Sequence, residues 1–357
     1  MKLNKGEWSE VYVFLKLLAE GKLYAADKDL KKIEDIYYSV LEIINKDINR
    51  YFEHKNGRVS IKDEAENLYK EYDVRDFAKH ALNLLASIID NKDSSFEVAD
   101  TTDFMKELGI SKLKAKSQDK RDIILRVHDS VIGRDDILGF SIKSNLGGAP
   151  TLFNSSKSTN FIFKIEGDFA PEIVDKINLI DSKSKIRDRI KAIYENNSRL
   201  VFEGLDNKTF ELNLIMVDSH MPKILGEMLL IYYQGKGSKL SDIVKIIEQN
   251  NSRNYDLSLG HLFYSRKVKN LICDIALGMT ASNVWQAKLE ITGGYIVVRS
   301  DGDVLCYHIY NRNEFEDYLL ENTKFDTPST TKFGFGKIET DSLGNRFLKL
   351  NLQIRFI

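Results

Sequence analysis

The sequence predicts an α/β protein: a mixed central sheet flanked by helices, with a helix-rich middle and a strand-rich C-terminal part. Apolar residues recur at helical spacing near the start and between about 170 and 280, whereas alternation with a period of two dominates residues 123–142 and the stretch from Val284 onwards. With 357 residues and 43% hydrophobic content the chain can bury one large core or two ordinary ones. Four prolines and no Ser/Gly-rich linker leave only a division near 180 to 200, taken here as 1–180 and 181–357, or one compound domain.

The first element is an amphipathic helix from about Trp8 to Glu20, with Val11, Phe14, Leu15 and Leu18 on one face and Gly21 placed to end it. Tyr37 to Ile44 suits either helix or strand. Asn56-Gly57 between Tyr51-Phe52 and Val59–Ile61 reads as a hairpin turn, and a long helix is expected from Asp63 to Ile89. Ser111 to Arg121 is a polar loop. Ile123, Leu125 and Val127 then alternate with polar neighbours, and Leu138, Phe140 and Ile142 repeat the pattern after a turn around Gly133, so the two strands pair as a hairpin. Helices follow at Ile224–Tyr233, Leu240–Glu248 and Leu262–Leu277. Strands are expected at Lys288–Ile291, Tyr295–Arg299 and Val304–Tyr310, a short helix near Glu314–Leu320, and a terminal strand at Phe347–Phe356.

Lys and Arg number 52 against 53 Asp and Glu, so total charge neither favours nor excludes an anionic partner; only its distribution can. Cys273 and Cys306 are far apart and are expected to be free and packed, Met1-Lys2-Leu3-Asn4-Lys5 is no signal peptide, and no apolar run approaches the roughly 20 residues that span a bilayer. A cytoplasmic protein is expected. His54 and His128 have no Cys or Ser in a recognisable catalytic arrangement, and no ligand spacing makes Cys273 part of a metal site.

In an antiparallel hairpin centred on 130 to 135, the start of the first strand lies beside the end of the second, which brings Asp122 next to Lys143 with Ser141 close by. Parity adds a second constraint. If Ile123, Leu125, Val127, Leu138, Phe140 and Ile142 face the core, then Asp122, Ser141 and Lys143 share the opposite face, along with Ile124, which is therefore partly covered. Such a patch suits phosphodiester hydrolysis: the carboxylate can hold Mg²⁺ against a phosphate oxygen, the metal acidifies a bound water, and the ammonium positions or activates that water. A surface salt bridge at the rim of a sheet has the same composition.

Asp122, eighteen intervening residues, then Ser141-Ile142-Lys143 resembles the PD-(D/E)xK nuclease signature with two departures. Arg121 stands where that family usually has Pro, and Ser141 where it usually has an acid; Ser-x-Lys is similar to a branch of restriction endonucleases that recognise sites containing CCGG and draw the missing carboxylate from elsewhere in the fold. The flanks sharpen the likeness. Lys5-Gly6-Glu7-Trp8-Ser9-Glu10, Gly139-Phe140-Ser141-Ile142-Lys143-Ser144 with Leu146-Gly147, Thr151-Leu152, Asn154 to Asn160 and Leu348 to Phe356 resemble the HpaII family of restriction endonucleases, and they run from the first ten residues to the last ten. The resemblance implies a restriction-endonuclease-like sheet and type II cleavage of double-stranded DNA, expected at CCGG, with Mg²⁺ as cofactor. It also implies a cognate cytosine methyltransferase as functional partner. On this reading 1–180 is the catalytic nuclease core and 181–357 contributes to DNA recognition.

Nucleases of the fold this chain resembles often place a glutamate of the first helix beside the hairpin, which makes Glu10 the leading second metal ligand with Asp122. Glu7, three residues away, shares its face, and both acids also suit a helix N-terminus. Asp129, Asp135 and Asp136 rival Asp122 but lie at the turn end of the hairpin. DNA contacts are expected from Ser155, Ser156, Lys157, Ser158, Thr159 and Asn160, more weakly from Lys332, and from Lys116 and Lys120 in a run of five cations and one acid that adjoins the catalytic strand. Symmetric sites favour a homodimer, although some restriction enzymes act as monomers. The alternatives are a DNA-binding protein in which Asp122 and Lys143 are a structural pair, and a repair nuclease of the same fold.

Overall fold

Helix α1 (Lys5–Glu20) is defined at both ends by its own residues. The Asn4 side chain accepts from the Glu7 amide (3.0 Å) while the Glu7 carboxylate accepts from the Asn4 amide (2.9 Å), a reciprocal cap that satisfies two otherwise unpaired donors. Gly21 closes the helix at φ +64°, its amide donating to Leu17 O. The computed structural model describes residues 2–110, 121–130, 133–167 and 170–357.

The described chain is mixed α/β, in two compact units. One comprises Met1–Pro150 and Leu289–Tyr318, the other Thr151–Lys288 and Leu319–Ile357. The chain thus leaves the first unit after Pro150, returns at Leu289 and leaves again after Tyr318, so a single cut near 180 describes neither unit.

The first unit is built on nine strands: β1 (Lys22–Ala26), β2 (Lys32–Asn45), β3 (Arg50–Lys55), β4 (Arg58–Lys62), β5 (Leu68–Asp73), β6 (Ile123–Asp129), β7 (Arg134–Ser144), β8 (Gly294–Val298) and β9 (Val304–His308). Their order is β1-β9-β8-β7-β6-β2-β3-β4-β5, and β1 also pairs with β2, so six of them close a ring of pairings. The pairs β7–β8 and β1–β9 are parallel and the rest antiparallel, which makes the sheet mixed as expected. One face packs on α1. Trp8, Val11, Leu15 and Leu18 of the helix form one core with Leu125, Phe140, Ile142 and Ile296 of the sheet.

The 37–44 segment is strand, not helix, because β2 is hydrogen-bonded on both sides, to β6 on one and to β1 then β3 on the other. Asn56 and Gly57, both at positive φ, make the expected hairpin turn between β3 and β4. The helix expected from Asp63 begins only at Val74, as α2 (Val74–Asp90). The Asp63 carboxylate accepts from the amides of Ala65 and Asn67 and turns the chain, Glu66 takes φ +62°, and residues 68–73 become the edge strand β5. Asp73 then caps α2 by accepting from the Arg75 amide.

The second unit holds a four-stranded antiparallel sheet in the order Arg199–Leu205, Asn160–Glu166, Arg346–Asn351, Ile338–Thr340, and a three-stranded sheet of Thr151–Phe153, Ile354–Phe356 and Thr323–Phe325. The expected helices appear at Met221–Tyr233, Leu240–Asn250 and Phe263–Leu277. Two strand expectations need correction. Lys288–Ile291 alternates but pairs with no described strand, and the terminal strand is two strands in different sheets. The break follows Asn351, a buried residue whose amide group donates to Ser156 O and Asn160 Oδ1. Among the described residues no helix is long and apolar enough to cross a membrane.

Candidate active site

Strands β6 and β7 pair with Ile123 opposite Phe140 and Leu125 opposite Leu138, the register that parity demands, and the Asp122 amide extends the ladder by donating to Phe140 O (2.8 Å). Asp122 therefore stands beside Ser141. Its Oδ2 accepts from Ser141 Oγ (2.9 Å) and from the Ile142 amide (2.6 Å), while Lys143 Nζ donates to Ser141 Oγ (2.9 Å). Ser141 is the hub of the patch: buried at 4% exposure, it gives its proton to the acid and takes one from the ammonium. The expectation that acid and ammonium share one face holds, and the hydroxyl joins them. Ile124, on the same face, is buried as parity implied.

The strand next to β7 adds a residue that sequence reasoning missed. β8 runs parallel to β7 with Tyr295 opposite Ser141, and the Lys143 ammonium lies 5.1 Å from the centre of the Tyr295 ring. About 150 residues of chain separate the two, and no local pattern links them.

The two candidate glutamates of α1, Glu7 and Glu10, separate in the structure. Glu7 is engaged in the N-terminal cap, whereas Glu10 lines a pocket of about 430 Å³ with Asn4, Lys5, Asp93, Lys143 and Ser144. α1 is anchored there by a hydrogen bond between Ser9 Oγ and Ser144 Oγ (2.7 Å). Asp93 is a second acid in this pocket that the sequence did not single out; its loop arrives through tertiary packing, with no motif to announce it.

The rival acids sit at the other end of the hairpin with partners of their own. His128 Nδ1 lies 2.7 Å from Asp135, Arg134 is 2.9 Å from Asp136, and Asp129 is opposite Arg134 in the ladder. Asp136 faces Val127, five positions along the strand from Asp122, or about 17 Å at the usual rise.

The carboxylate of Asp122 fits a hard cation. One oxygen is held by two donors, and Oδ1 takes no hydrogen bond from any described residue. No cluster of three His, Cys, Asp or Glu side chains able to hold a metal occurs among the described residues. A hard cation bound together with a phosphate needs only one or two protein carboxylates, its remaining positions being filled by water and substrate oxygens.

The expected DNA contacts divide. Lys116 and Lys120 lie outside the described residues. Thr159 and Asn160 are buried, Thr159 donating to Ser156 O and Asn160 to Phe333 O and Asp206, so these two side chains hold the loop together and are not offered to a partner. Ser156 caps the short turn Lys157–Thr159 and Ser158 accepts from Asn207, both half-buried along with Ser155, whereas Lys157 and Lys332 are exposed. Arg121, in the place of the usual Pro, lies across Gly139: a Cβ there would stand 2.2 Å from Arg121 Cδ. Cys273 and Cys306 are buried and not joined in a disulfide, and burial pushes the Cys306 thiol up, away from the thiolate.

The family of the chain follows from comparison with known proteins. The family model described as "HpaII restriction endonuclease" matches residues 4–356. The type II restriction enzyme HpaII of Haemophilus parainfluenzae is 42% identical over 366 residues, covering 99% of this chain and 98% of the relative. No solved structure matches the chain. Type II restriction endonucleases cut double-stranded DNA and generally use divalent metal ions. Matched over nearly its whole length by the family model and by a relative 42% identical to it, the chain belongs to the HpaII restriction endonuclease family and is a type II site-specific deoxyribonuclease.

Proposed function

We propose that the enzyme hydrolyses double-stranded DNA at CCGG with Mg²⁺, on a restriction-endonuclease-like core, with Asp122, Ser141, Lys143 and Glu10 as its active-site residues. The observation that carries this reading is the hydrogen-bonded chain from the Asp122 carboxylate through the Ser141 hydroxyl to the Lys143 ammonium. Asp122 Oδ1 and the Glu10 carboxylate would hold the cation, which supplies charge compensation at the phosphate and a more acidic bound water. The Lys143 ammonium would orient the attacking water and offset the negative charge that develops on it, and Ser141 keeps the ammonium within reach without adding a second negative charge next to Asp122. The pocket shared by Glu10 and Lys143, and the engagement of Glu7 elsewhere, support Glu10 as the second acid.

The first unit is assigned catalysis. Contacts to the DNA backbone are assigned to Lys116, Lys120, Ser155, Ser156, Lys157, Ser158 and Lys332, as cations or hydroxyls suited to phosphate oxygens. A palindromic site suits a homodimer. A cytosine methyltransferase that protects the same sequence would be the functional partner, and both would act in the cytoplasm. The experiment is digestion of plasmid DNA with Mg²⁺ followed by sequencing of the ends. Discrete bands whose ends all lie within CCGG are expected; ends within another fixed sequence overturn the CCGG assignment, and a smear overturns site-specific cutting by the chain.

A further inference from the structure

We propose that Tyr295 is a positioning residue for cleavage, its ring face holding the Lys143 ammonium in place; this rests on the reading of Lys143 as catalytic. Lysine is a flexible four-carbon arm whose head must be fixed to act on one water. On β7 the residue two before Lys143 is a neutral hydroxyl where the related signature has a carboxylate, and Ser141 holds the ammonium through one hydrogen bond of 2.9 Å. β8 supplies negative potential from another source. Tyr295 lies opposite Ser141 in the parallel pairing and so faces the same side, and its ring centre is 5.1 Å from Lys143 Nζ, inside the ~6 Å range over which an aromatic face attracts a cation.

The ring is itself rigid and dry. Tyr295 is 2% exposed and meets Phe315 edge-on at 5.2 Å and 63°, and Phe315, fully buried in helix α3 (Arg312–Glu321), lies at 6.4 Å from the Tyr307 ring. A desolvated ring packed against Phe315 gives the ammonium a fixed seat, and unlike a carboxylate it does not compete with Asp122 and Glu10 for the cation.

The test is a size-conserving series. Phenylalanine and its mono-, di- and trifluorinated analogues at position 295 keep the ring and drain its face of negative potential step by step. Single-turnover cleavage should slow progressively along the series, by roughly 3- to 30-fold between phenylalanine and the trifluoro ring, with metal-free DNA affinity and Tm unchanged. A ring with a purely structural role leaves the rate flat across the series. Lys143→Ala separates the two readings: if it is inactive while the fluorinated series is flat, the role of Tyr295 falls and that of Lys143 stands; if Lys143→Ala cuts normally, both fall.

Discussion

Replacing Asp122 by Asn tests the assignment of the acid with little disturbance of the fold. The amide can keep its oxygen towards Ser141 Oγ and the Ile142 amide, now 2.9 and 2.6 Å from Oδ2, so the hairpin end survives. Exchanging charge-assisted for neutral hydrogen bonds at this half-buried position costs about 1 kcal/mol of stability. Its effect on the reaction should be far larger. The NH₂ group then occupies the position of Oδ1, the oxygen open to the cation, and loss of several kcal/mol of transition-state stabilisation corresponds to a rate on the order of 10³-fold lower. Removing a negative charge beside the scissile phosphate favours binding, by about 1 kcal/mol for charges ~4 Å apart in a water-like environment. Single-turnover cleavage with Mg²⁺, together with fluorescence anisotropy in EDTA at low salt, should therefore report a dead enzyme that binds as well as or better than wild type. Asp129→Asn and Asp136→Asn, at the turn end, should cut almost normally. Wild-type cutting by Asp122→Asn, with either of those two inactive, would refute the assignment.

Three further outcomes follow from local geometry. Glu10→Gln should raise the Mg²⁺ concentration needed for half-maximal cleavage, while Glu7→Gln, whose amide oxygen can still accept from the Asn4 amide, should leave that titration unchanged and lower stability by no more than about 0.5 kcal/mol through the lost charge at the helix N-terminus; equal effects on the Mg²⁺ titration would remove Glu10 from the metal site. Gly21→Ala should destabilise the protein by about 1–3 kcal/mol in urea unfolding, because φ is +64° and the new Cβ would meet the His54 ring at 2.4 Å; an unchanged midpoint would contradict the helix terminus described above. His308 is buried among Tyr38, Phe140 and Tyr310, and burial pushes its pKa down to about 4. Because the folded value lies below the ordinary 6.5, the unfolded chain binds the extra proton between about pH 6.5 and 4. Stability is then full above 6.5 and falls on acidification through this window by up to about 1.4 kcal/mol per pH unit from this group; His308→Gln should show a shallower slope, measured by urea titrations from pH 7 to 4.

Much of the candidate site was legible because its core is a hairpin. Asp122 and Ser141 meet through a short connection, parity puts Lys143 on their side, and the register follows from which residues are apolar. The end of α1 was legible for a similar reason, since Gly21 acts within the last turn, whereas its start, expected near Trp8, lies at Lys5 behind the Asn4 cap. Where local patterns misled, a partner from elsewhere was missing or unforeseen. The periodicity of 63–73 suits a helix, yet the segment turns at Asp63 and adds itself to the edge of a sheet as β5. Lys288–Ile291 alternates, but a strand needs a neighbour.

By itself, then, the sequence determined the mixed α/β class, the hairpin with its acid, hydroxyl and lysine, and the membership of the family that cuts DNA at specific sites. The tertiary structure decided that Ser141 stands between Asp122 and Lys143 as donor and acceptor, that Glu10 and not Glu7 shares a pocket with the lysine, that Thr159 and Asn160 are interior, and that Tyr295 lies beneath the ammonium. The physical reason is range. Turns, caps and side-chain parity are settled by neighbours a few residues apart, whereas the face a helix buries and the strand that docks beside β7 depend on chain up to about 150 residues away, brought in by burial of apolar surface that no single window of sequence contains.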